Sequence, residues 1–128
     1  MNRRTDAMER FAERRRREDA APRLRDTVPR LRACRIDFEE TRADVTSASV
    51  AHTRRLVVER APALFIIPCS DPSCKDGGHD ISANLLRGLR DGAAQIRGED
   101  TCHGYVGGAS CGRILKFTAF ADYGEGPA

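Results

Sequence analysis

Cys69-Ser70-Asp71-Pro72-Ser73-Cys74 and Cys102-His103-Gly104-Tyr105-Val106-Gly107-Gly108-Ala109-Ser110-Cys111 are the two segments around which the rest of the chain is organised. Each has a cysteine at both ends and a turn with proline or glycine between them, so each can curl around a small ion. Thiolates suit a soft, tetrahedral metal, and two short loops meeting in space deliver two sulfurs apiece. Cys69, Cys74, Cys102 and Cys111 therefore read as a tetrathiolate site for one structural Zn2+ ion. Two other readings stay open: a redox pair through Cys69 and Cys74, and plain buried thiols. The fifth cysteine, Cys34, is assigned to the last class.

Outward from these loops, the apolar pattern sets the elements. From Leu31 onwards Cys34, Ile36 and Phe38 alternate with Arg35, Asp37 and Glu39, the mark of a half-buried strand. Residues 43–50, small and polar, predict a loop. Thr53–Glu59 predicts a second strand and Ala63–Ile67 a third. The third run is apolar on both faces, which places it centrally in a sheet with Cys69 at its end. Asp80 or Ser82 caps a helix with Ile81, Leu85 and Leu89 on one face, and Gly92 closes it. Gln95-Ile96-Arg97 predicts a short edge strand leading to Cys102. Arg113–Tyr123 predicts the last strand, with Leu115, Phe117, Ala119 and Ala121 on one side. The expected fold is α+β: a small antiparallel β-sheet, one packed helix, a metal-stapled end and a protruding basic N-terminal helix. A final hairpin lying beside the central strand would put all four sulfurs at one end of the sheet.

Charge divides the chain differently. Residues 1–35 hold twelve arginines against six acidic residues, a balance of +6, while the remainder sums to −3. Thr5 is the expected cap of a helix running towards Asp19, with a thin apolar stripe of Met8, Phe11 and Ala12. The i,i+4 pairs Asp6–Arg10, Glu13–Arg17, Arg14–Glu18 and Arg15–Asp19 support it. Arg14, Arg15, Arg16, Arg17, Arg23 and Arg25 are the candidate contacts to nucleic acid or an acidic protein surface. Interleaved acids and missing aromatics for base stacking weigh against a base-reading role; a solvated, self-paired helix is the competing view. The expected division is a basic arm at 1–30, an α+β domain at 31–123 and a flexible tail at 124–128.

At 128 residues the chain is one domain plus at most a tail. Aromatics are 5% and tryptophan is absent, a core that a metal staple would reinforce. The charged N-terminus lacks the apolar stretch of a signal peptide. The longest apolar run, Ala61–Ile67, is far too short to span a bilayer. A cytoplasmic location is expected, where paired cysteines are more often metal ligands or redox groups than disulfides.

The segment from Cys69 to Arg113 resembles zinc ribbons, in which two cysteine-bearing turns at strand ends hold one zinc. The resemblance is architectural, since zinc ribbons carry Cys-x-x-Cys knuckles. Here four residues intervene in the first pair and eight in the second. It implies a structural ion, with His79 as a possible substitute ligand oriented by Asp80. His103, directly after Cys102, ranks below it, and His52 is expected at the surface. Cys74, His79 and Asp80 supply the residue types of a thiol nucleophile, but four thiols argue for a closed site, and catalysis is not expected. Gly77-Gly78 reads as a tight turn; Asp76 and Asp80 beside it would repel an anion. The expected function is that of a small cytosolic zinc-binding accessory protein acting by interaction, without a small-molecule substrate. The alternatives are a nucleic-acid-binding module associated with the ribosome or transcription, and a thiol redox sensor.

Overall fold

The computed structural model of the chain describes residues 3–42, 50–71 and 73–124, and the side chains of residues 3–7 and 42 lie outside that set. Helix α1 spans Arg3–Ala20 and a single turn, α2, spans Leu24–Thr27. Thr5 thus lies inside the first turn of α1 rather than capping it. Arg14–Glu18 and Arg15–Asp19 pair at 3.6 and 3.8 Å, whereas Glu13 takes Arg16 at 2.6 Å in place of Arg17. The Asp6–Arg10 pair needs a side chain outside the described set. Ala21-Pro22 ends α1, because proline has no N–H to continue the ladder.

Strands β1 (Leu31–Arg42), β2 (Val50–Arg55), β5 (Gln95–Thr101) and β8 (Arg113–Tyr123) form one antiparallel sheet in the order β2-β1-β8-β5. Two short ladders join it: β3 (Ile66–Ile67) with β4 (His79–Asp80), and β6 (Tyr105–Val106) with β7 (Ala109–Ser110). The fold is α+β, built on a small antiparallel sheet. No described helix is long and apolar enough to cross a membrane. The loop expected at 43–50 lies outside the described residues as far as 49, as does the tail beyond Gly124.

Alternation in β1 and β8 puts Cys34, Ile36, Phe38, Leu115, Phe117 and Ala119 on one buried face. Helix α3 (Ser82–Arg90) closes that core with Ile81, Leu85 and Leu89. Asp80 Oδ1 accepts the Ser82 N–H at 2.9 Å, and Gly92, at φ 75°, ends the helix. Leu24 and Val28 are also core residues, so part of the segment assigned to the arm belongs to the body.

Two strand expectations are corrected. The second strand is Val50–Arg55, not Thr53–Glu59; the chain turns after Val57, whose carbonyl accepts from Arg60 and Ala61. Ala63–Ile67 is not a central strand, the central pair being β1 and β8. Ala63, Phe65 and Ile67 are buried and Leu64 and Ile66 half-buried, because the segment crosses the core. Ala63 and Phe65 bond to Pro22, Ile81 and the Ser82 hydroxyl, and only Ile66–Ile67 enter a ladder, the two-residue one with β4. A short apolar run has the same pattern in either role.

Candidate metal centre

The first cysteine loop leaves β3 and returns through β4. Asp71 shapes it: its carbonyl accepts from Cys74 N at 3.0 Å and its carboxylate from Ser73 N at 2.9 Å. The second loop is longer because it contains a hairpin, β6–β7, turning at Gly107 and Gly108. Both glycines have positive φ, 58° and 82°, as a tight two-residue hairpin turn requires. The eight intervening residues are thus a folded ladder. Reciprocal backbone bonds between Lys75 and Tyr105, 2.8 and 2.9 Å, tie one loop to the other. Cys102 N donates to Arg113 O at 2.7 Å and Cys111 N to Gly104 O at 2.8 Å, which sets both second-loop cysteines.

All four Sγ atoms lie within 4.8 Å of one another, and these four residues can hold a metal ion. Three of the cysteines are buried and Cys69 is half-buried. The shortest sulfur contacts cross between the loops: Cys69–Cys111 at 3.7 Å and Cys74–Cys102 at 3.6 Å. Cys69 and Cys74, the pair of the alternative redox reading, are therefore not the closest pair. The approach depends on absent side chains. A Cβ on Gly77 would run into the sulfurs of Cys74 and Cys102, and one on Gly104 into Cys74 Sγ and the Gly77 and Lys75 backbone.

Burial pushes the Cys69 thiol well up, and the neighbouring Cys111 sulfur adds to this against the Asp71 N–H. Burial likewise pushes Cys74 up to about 12, with Cys102 and Cys111 adding. Burial acts upward on Cys102 too, but the N–H groups of Gly104 and Gly78 donate to its sulfur and bring it down overall. They do so at 3.5 and 3.3 Å. The Gly77-Gly78 turn therefore does direct an N–H at an electron-rich atom, a sulfur of its own chain.

Beside the sulfurs lies a buried polar network that sequence reading did not identify. Glu40 and Asp100 both face Leu115 across β1–β8 and β8–β5, so three strands bring two carboxylates to one end of the sheet. His79 is wedged between them, Nδ1 3.0 Å from Asp100 Oδ2 and Nε2 3.1 Å from Glu40 Oε2. With both ring nitrogens engaged, His79 lies outside the sulfur group, and its carboxylate partners are Glu40 and Asp100 rather than Asp80. Glu40 also accepts from the Ser70 N–H at 3.1 Å and from its hydroxyl, and Cys69 Sγ lies 4.0 Å away. The network thus fixes the residue after a candidate ligand. One signal was present: Glu40 continues the apolar phase of Cys34, Ile36 and Phe38, where a charged side chain needs a buried partner.

The remaining candidates are placed elsewhere. His103 is exposed, and His52 is stacked on Phe38 with ring centroids 4.7 Å apart. Arg15, Arg16 and Arg17 are exposed on α1, and Arg25 is exposed on α2. Arg23 has a structural role, its guanidinium donating to the carbonyls of Glu18, Ala21 and Arg60. A groove of about 620 Å3 separates α1 from the first cysteine loop, with Arg10, Arg14 and Arg17 on one side and Asp71 and Asp76 on the other. Comparison with protein-family models, curated proteins and solved structures finds no match to this chain.

Proposed function

We propose that the four cysteines hold one structural zinc ion and that the protein is a small zinc-stapled accessory module acting by interaction. The observation that carries this reading is the mutual approach of four sulfurs from two loops, all within 4.8 Å. A tetrahedron with zinc–sulfur bonds of about 2.3 Å has edges of about 3.8 Å. The two sulfur contacts, 3.6 and 3.7 Å, fit such edges. Four thiolates fill the coordination sphere, which suits structure better than catalysis, where a position stays open. Reduced thiolates suit a cytoplasmic setting. In this reading the basic arm docks on a polyanionic or acidic partner through exposed arginines of α1, beside the two-loop end that resembles a zinc ribbon.

Native mass spectrometry with elemental analysis, on protein purified without added metal, tests the reading. The expected result is one zinc per chain and four thiols protected until a chelator is added. Metal-free protein with all four thiols reactive would overturn it.

A further inference from the structure

The sheet has a second face, turned away from the core. Its alternate residues form a row across all four strands: Arg55 of β2 opposite Arg35 of β1, Arg35 opposite Phe120 of β8, and Phe120 opposite Gln95 of β5. The next row carries Arg97, opposite Thr118. The residues of β2 and β5 on this face are all exposed, and Phe120 is 36% exposed on a central strand.

Three features set this surface apart from an ordinary solvated face. Arg35 and Arg55 stand directly opposite each other, and like charges so placed destabilise a sheet. Within these two rows Asp37, 3.6 Å from Arg35 Nε, is the acid set against three arginines, while Asp122, Glu39 and Glu99 stand in the flanking rows of the same face. Arg35 sits over the Phe120 ring, its Cζ 4.5 Å from the centroid, giving a platform of guanidinium on aromatic. Aromatic and guanidinium planes on an open sheet are what unpaired bases stack on, while neighbouring arginines reach the phosphates.

We infer that this face binds single-stranded nucleic acid, with one base stacked on the Arg35–Phe120 platform and flanking phosphates held by Arg55 and Arg97. The surface does not involve the cysteine site and is separate from α1. It gives the polyanionic partner a chemical class, and it can fail while the arm still binds. Paired bases present no free ring face, so a duplex should bind more weakly.

The test is fluorescence anisotropy of the full-length, metal-replete chain with labelled dodecamers of uridine and of thymidine, titrated at several salt concentrations. Phe120→Leu should weaken binding about fivefold or more. Arg55→Gln, at an exposed position, should weaken it and lower the salt slope by about one. Unchanged metal content and circular dichroism show that each variant is folded. The inference is overturned if the wild-type chain binds neither dodecamer, or binds duplex equally well. It is also overturned if both sheet variants bind as wild type while a chain with Arg14, Arg15, Arg16 and Arg17 changed to Gln loses binding.

Discussion

The apolar core under the sheet and the cysteine cluster at its end are both buried, but they are held together differently. The core joins residues from α2 to β8, among them Leu24, Ile36, Phe65, Leu85 and Leu115, and gains from removing apolar surface from water. The cluster holds only Cys74, Cys102 and Cys111, with Cys69 and Val106 against them, too little apolar surface to close two loops. Its sulfurs crowd one another, and burial holds the Cys69 and Cys74 thiols protonated, a condition that a bound dication would reverse. The core can thus form without a ligand, whereas the zinc ion proposed above would hold the cluster closed.

The largest expected effect separates the two regions outright. Cys102→Ser, at the most buried of the four thiols, should abolish zinc binding and remove several kcal/mol of stability, as chelation should in the wild type. Chelator should then have no further effect on the variant. If the wild-type melting temperature does not respond to chelator, the proposed dependence of the cluster on metal is wrong.

Glu40→Gln tests the seam between the regions. It leaves His79 beside one carboxylate instead of two, and should cost about 3 kcal/mol and about tenfold in zinc affinity. Leu85→Ala should cost roughly 2–5 kcal/mol by cavity formation, with zinc affinity in the folded state unchanged. Denaturant melts paired with competitive zinc titration read both quantities. Equal losses of affinity in the two variants would mean that core and cluster form a single cooperative unit.

The smallest effect belongs to Cys34, a core thiol away from the cluster. Burial raises it from 9.0 to about 11. Because the folded state holds the proton more tightly, the stabilisation is complete below pH 9 and is lost as pH rises towards 11. That loss amounts to roughly 1–3 kcal/mol, and Cys34→Ala should remove this part of the alkaline decline. Denaturant melts on both sides of the window measure it; identical pH slopes for variant and wild type would exclude this role for Cys34.

The parts of the fold legible in the sequence were those written in short periods. β1 alternates from Cys34 onwards and β8 throughout its core-facing run, α3 repeats its apolar positions on one face, and Gly92 marks its end. Ala63–Ile67 defeated the same reading, because an apolar run shows that a segment is buried and not what it pairs with. At the site, the cysteines and their turns could be found by residue type. Glu40, Asp100 and Ser70 could not, being ordinary polar residues until strand register sets them around His79 and beside Cys69.

The chain alone therefore determined the α+β character, the cysteines available for a shared site and the basic character of the N-terminal helix, since each depends on residue type and near-neighbour spacing. Tertiary structure decided that Cys69 approaches Cys111 and Cys74 approaches Cys102, that both nitrogens of His79 are occupied, and that Phe120 lies outward between arginines. Each of these joins segments many residues apart. Their meeting is set by strand order, register and close glycine packing, which no local pattern records.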